Sequence, residues 1–64
     1  DKKELQESVA RFTEYAAEHP ELTFLVTPVG CGGGGWRAWM VALMFRNASR
    51  LENVYLPQEF WDEL

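Results

Sequence analysis

Leu22-Thr23-Phe24-Leu25-Val26-Thr27-Pro28-Val29-Gly30-Cys31-Gly32-Gly33-Gly34-Gly35-Trp36 decides how this chain is read. Its first half is rich in β-branched and aromatic residues, which favour extended backbone. Leu22 to Val29 is apolar in both side-chain directions, the pattern of a buried parallel strand, with Pro28 marking its end. The glycines after it make a turn, and Trp36 opens a second apolar run. A parallel strand needs a crossover to its partner, usually a helix. The expected unit is therefore strand, helix, strand.

Trp36 to about Arg50 predicts that helix, with Arg46 and Arg50 in its last turns, where cations suit the helix dipole. Trp36, Trp39, Met40, Val41, Leu43, Met44 and Phe45 run almost all the way round it, so it must be covered on more than one side. Asn53 to Leu56 predicts the second strand, reached by a right-handed crossover. Pro57 suits the first position of a short helix with Glu59 in its first turn. Phe60, Trp61 and Leu64 are expected to pack back, leaving Glu59, Asp62 and Glu63 in water. On the other side of the glycine stretch, residues 2–18 predict a helix. Leu5, Val9, Phe12 and Ala16 form its apolar stripe, widened by Ala10 and Tyr15. Glu4, Glu7, Arg11, Glu14 and Glu18 recur on the opposite side. His19-Pro20 ends it, because a residue before proline leaves the α region. The prediction is one small α/β domain over residues 1–64, in the order α-β-α-β-α. Its two-stranded parallel sheet is covered by helices and keeps open edges.

Size bounds what such a chain can do. Sixty-four residues with one Cys and one His allow no intrachain disulfide and no ordinary structural zinc site. Nine aromatics supply a dense core instead. Ten acidic against six basic side chains give a net charge of −4. That balance disfavours direct contact with nucleic acid or an anionic membrane. No apolar run approaches the roughly 20 residues of a membrane span. Asp1 to Ser8 does not read as a secretory signal, and a lone Cys suits a reducing cytoplasm.

The glycine turn raises the question of a ligand. Backbone N–H groups of Gly30, Cys31, Gly32, Gly33, Gly34 and Gly35 before a helix could converge on an anion, with Trp36 and Arg37 beside them. The spacing matches neither the P-loop nor the dinucleotide fingerprint, and a plain connector explains it equally well. Cys31 before a helix could be an activated thiol. Its only candidate base, His19, stands at the far end of the strand, roughly 20 Å away. A buried inert thiol is the simpler reading, and no catalytic residue is assigned. A pocket of about 300 Å³ is hard to build from so little chain, so no cofactor is expected.

The carboxylates carry a sharper reading. Side chains one helical turn apart stand about 5–6 Å from each other, so Glu4, Glu7, Glu14 and Glu18 make a row of negative charge. Glu21 follows it, and Glu52, Glu59, Asp62 and Glu63 complete a second acidic patch. A solvated face is the plain role of such residues. The functional one is occupation of a basic groove that normally holds nucleic acid. The partner is then a protein with such a groove, met by a monomer or weak homo-oligomer.

The chain also resembles a known family. Phe12 to Gly32, FTEYAAEHPELTFLVTPVGCG, is similar to the C-terminal half of a macrodomain-like family of phages and bacteria. There a helix leads to His-Pro-x-Leu-x-Phe, a strand and Gly-Cys-Gly-x-Ala-Gly-Tyr. An apolar helix ending near Met/Leu-Phe and Asn-Val-x-Leu-Pro-x-x-Phe follow. The corresponding residues here are His19-Pro20-Glu21-Leu22-Thr23-Phe24, Gly30-Cys31-Gly32, Met44-Phe45, Asn53-Val54-Tyr55-Leu56-Pro57 and Phe60. The family's Ala-Gly-Tyr is Gly34-Gly35-Trp36, and Arg37-Ala38-Trp39-Met40 replaces more polar positions. Its longer members carry an N-terminal half outside these residues. The resemblance implies an α/β scaffold and binding of ADP-ribose or a nucleotide diphosphate by residues 30–36. In size and charge the chain also resembles small acidic anti-CRISPR inhibitors, which implies a DNA mimic acting in the cytoplasm of an infected bacterium.

Overall fold

The computed structural model describes residues 1–28 and 35–64. The end of the expected strand at Val29, and the turn residues Gly30, Cys31, Gly32, Gly33 and Gly34, lie outside the described residues.

The elements follow the expected order as a mixed α/β structure. They are α1 (Lys2–Glu18), β1 (Phe24–Leu25), α2 (Ala38–Met44), β2 (Val54–Tyr55) and α3 (Gln58–Trp61), with a 3-10 turn at Ala48–Arg50 before β2. β1 and β2 pair in parallel, Phe24 with Val54 and Leu25 with Tyr55. α1 starts where Asp1 caps it, accepting the Glu4 N–H at 2.9 Å. It buries Val9 and Ala16 and half-buries Leu5 and Phe12, as its apolar spacing requires.

The core gathers Val9, Ala16, Val41, Ala42, Phe45, Ala48, Val54, Leu56 and Phe60. Aromatic rings join its layers. Phe12 meets Phe24 edge-on at 5.3 Å between centroids, and Phe45 stacks on Phe60 at 5.7 Å. The rings bring large apolar areas to a chain with little material, in geometries aromatic pairs prefer.

Several expectations are corrected. β1 is two residues long rather than eight, because β2 offers only Val54 and Tyr55 to pair with and a turn N–H bond from Leu22 to His19 O, at 3.0 Å, holds Leu22 back. Nor is β1 buried on both faces. Phe24 and Val54 face the helices, while Leu25 and Tyr55 share an outer face, 79% and 56% exposed. The long second helix is broken: α2 runs for seven residues, then Phe45 and Arg46 N–H bond three residues back, to Ala42 O and Leu43 O. This tightening lets Phe45 and Ala48 both reach the core. Arg46 therefore lies outside α2, and Arg50 closes the separate 3-10 turn. α3 starts at Gln58 with Pro57 as its cap residue. Four residues present one side only, and Phe60 fills it, so Trp61 and Leu64 stay 43% and 38% exposed. Ala10 and Tyr15 are exposed rather than part of the buried stripe.

One side chain ties the two halves of the chain together. The Asn53 carboxamide nitrogen donates to the carbonyls of Ala16, His19 and Leu22, each at 3.0 Å. Ala16 lies in the last turn of α1, where carbonyls run short of helical partners, and His19 and Leu22 lie just beyond it; Asn53 reaches all three from 30 residues or more away in sequence. Its own carbonyl accepts the Phe24 N–H at 2.8 Å, which starts the sheet ladder. Replacing Asn53 by Ala should lower stability by about 0.5–1.5 kcal/mol, since the two amide hydrogens shared among three carbonyls are lost while Ala16 O and His19 O keep their backbone donors from His19 and Leu22. Urea denaturation checks this; a loss below about 0.5 kcal/mol would mean that water replaces the amide without cost.

Candidate functional site

On α1, residues 4, 7, 11, 14 and 18 fall within an arc of roughly 80° at 3.6 residues per turn, on the side opposite the core. Glu4, Glu7, Glu14 and Glu18 are all exposed. Among the described residues their only ion-pair partner is the N-terminal ammonium of Asp1, 3.6 Å from Glu4. Arg11 sits within the row, but its guanidinium donates to Ser8 Oγ at 3.3 Å instead of pairing with a carboxylate. The helix thus holds four carboxylates over about 21 Å of axis at 1.5 Å per residue. One strand of DNA carries a charge about every 3.4 Å. The row has roughly half that density, so it imitates a phosphate backbone only in part.

The second acidic patch divides in two. Glu52 lines a cleft with Ala17 and Pro20 at the end of α1. Glu59 and Glu63 line a different hollow, of about 550 Å³, with Gly35, Trp36, Arg37, Ala38 and Trp39. Asp62 accepts from Gln58 Nε2 at 2.9 Å. Both clefts are open surface hollows rather than enclosed pockets. At the Trp36 hollow, Gly35 has φ +78, a conformation suited to glycine. Glu59 and Glu63 set two negative charges beside it, against a single guanidinium from Arg37. That balance opposes a diphosphate. Among the described residues no group of three His, Cys, Asp or Glu side chains is placed to hold a metal ion. None of the described helices is long and apolar enough to cross a membrane.

A cluster that sequence reasoning treated as a helix end proves to be organised. The Tyr15 and His19 rings stack with centroids 4.2 Å apart, and His19 Nδ1 donates to Glu21 Oε2 at 3.0 Å. The i, i+4 spacing of Tyr15 and His19 is the signal that would have revealed it. The hydrogen bond from His19, helped by a backbone bond and by its charge, holds the Glu21 carboxyl below the usual range. Glu21 is thus already partnered, unlike Glu7, Glu14 and Glu18.

No family model, curated protein or solved structure matches this chain.

Two outcomes follow from this geometry. Because the folded Glu21 pKa is depressed, its contribution to stability is present above the ordinary carboxylate range. It is lost as pH falls through the lowered value. Replacing His19 by Ala should move the Glu21 titration midpoint upward, read by carboxyl-carbon NMR; an unchanged midpoint would contradict the pairing. Calorimetry with ADP-ribose at about 1 mM should show no saturable heat, an affinity weaker than about −4 kcal/mol. A saturable isotherm lost on Gly35→Val would show that the loop binds the ligand despite Glu59 and Glu63.

Proposed function

We propose that this chain is a non-enzymatic binding protein of the phage-inhibitor type. Its α1 carboxylates enter a basic groove on a host defence protein that otherwise holds nucleic acid. The observation that carries this reading is the row itself. Glu4, Glu7, Glu14 and Glu18 are exposed on one side of a helix whose other side is locked to the core, so folding fixes their spacing. A preordered row of charge loses less conformational entropy on binding than a flexible acidic tail. Long-range attraction steers it to a positive groove and makes the complex salt-sensitive. Charge at half the density of DNA calls for apolar contacts as well, and the exposed rings of Trp39 and Trp61 are suited to anchor them. The protein acts in the cytoplasm of an infected bacterium and uses no cofactor.

The test is capture from a bacterial lysate at about 50 mM and about 200 mM salt, followed by competition. The expected partner is a nucleic-acid-binding protein, retained at low salt and lost at high salt. Duplex DNA should displace the inhibitor from it, and the quadruple variant with Glu4, Glu7, Glu14 and Glu18 changed to Lys should not bind. If that variant bound the partner as tightly as the parent, or DNA and the inhibitor bound it together, the proposal would fail.

A further inference from the structure

Among the described residues β1 is bonded on one side only. The N–H groups of Phe24 and Val26 donate to Asn53 O and Tyr55 O, both at 2.8 Å. Backbone groups alternate along a strand, so the N–H and C=O of Leu25 point to the opposite edge, in line with those of Thr23 and Thr27. Among the described residues no backbone group bonds to that edge. It carries no charged side chain from Leu22 to Pro28. Natural edges are usually guarded by Lys, an inward charge or a covering element. Among the described residues, Pro28 is the guard, and it stands at the end of this edge.

A shallow apolar groove of about 340 Å³ runs beside the strand. Leu5, Ser8, Val9 and Phe12 of α1 line it, with Leu25, Val26 and Thr27 and with Phe45 of the core at its floor. No β2 residue contributes, so the groove lies between α1 and the β1 side of the sheet. Leu25 is the most exposed large apolar side chain described, at 79%.

The order of residues along this edge says what fits it. Thr23-Phe24-Leu25-Val26-Thr27 is symmetric by residue class about Leu25. A two-fold axis through Leu25 pairs two copies antiparallel. Leu25 then exchanges two N–H···O bonds with its own counterpart, and Thr23 of one copy bonds Thr27 of the other on each side. Phe24 of one copy faces Val26 of the other as the close, non-bonded pair. Threonine–threonine and aromatic–β-branched pairs are among the favourable ones across antiparallel strands. The contact is isologous and closes on itself, so it makes a dimer rather than a fibre.

We propose that the open edge of β1 docks a second copy of this chain, joining two sheets in the order β2-β1-β1-β2. The surface is separate from the α1 carboxylates and does not depend on their role. Each copy carries a net charge of −4, so self-association should tighten as salt screens the repulsion. Binding to a basic groove has the opposite salt dependence.

Sedimentation equilibrium of the protein from about 1 μM to about 1 mM reads the outcome. A monomer–dimer equilibrium is expected. The double variant T23K/T27K sets Lys against Lys at both ends and should weaken the dimer at least about tenfold. T23E/T27K sets opposite charges at the same positions and should restore it. Leu25→Pro removes the donor at the axis without touching a bond to β2 and should give a monomer. Far-UV circular dichroism of each variant distinguishes a folded monomer from an unfolded one. A parent monomeric at about 1 mM, a dimer indifferent to these changes, failure of T23E/T27K to restore it, or open-ended association would each overturn the proposal.

Discussion

Asn53 meets two demands at once. Its side chain donates to three carbonyls in and just beyond the last turn of α1, and its backbone carbonyl receives the first N–H of the parallel ladder. α1 therefore leaves its last turn in a direction that delivers Phe24 opposite Val54. A parallel pair of two-residue strands has little stability of its own. It persists here because the helix that feeds it and the strand that receives it are held by one amide. Once Phe24 is placed, its ring meets Phe12 and Tyr15, and α1 lies across the inner face of the sheet.

Among the described residues the sheet is covered from one side. Every described helix that contributes to the core does so on the face of Phe24 and Val54. The outer face is left to Leu25 and Tyr55. α2 faces a similar shortage: Val41 and Ala42 go inward, while Trp39 and Leu43 stay about half exposed. The described residues cover the sheet on one face. Surface that a larger α/β protein would bury stays exposed here on Leu25, Tyr55 and Trp39. The acidic residues take the remaining surface on α1, where the core offers them nothing.

Much of this was legible in residue patterns. The four-three-four spacing of Leu5, Val9, Phe12 and Ala16 located α1 and its buried side. The exposure of Glu4, Glu7, Glu14 and Glu18 followed from the same period. The apolar circumference of α2 announced a helix without enough cover. Element lengths were less legible. Nothing between Trp36 and Arg50 is a strong helix breaker, so the end of α2 at Met44 reflects the need to bury both Phe45 and Ala48. The hollow between Glu59, Glu63 and Arg37 joins residues more than 20 positions apart and has no local signature.

The sequence by itself determined the order of elements, the parallel pairing and the charged side of α1, because each depends on periodicities and turn residues within short windows. Tertiary structure alone decided which strand face is bare, which carboxylates are partnered and how the end of α1 is capped. Those outcomes depend on where distant residues meet: Asn53 on the carbonyl of Ala16, or Phe60 on Phe45. Burial is shared among all elements at once, and no window of sequence records how a 64-residue chain divides too little covering material between two faces of a sheet.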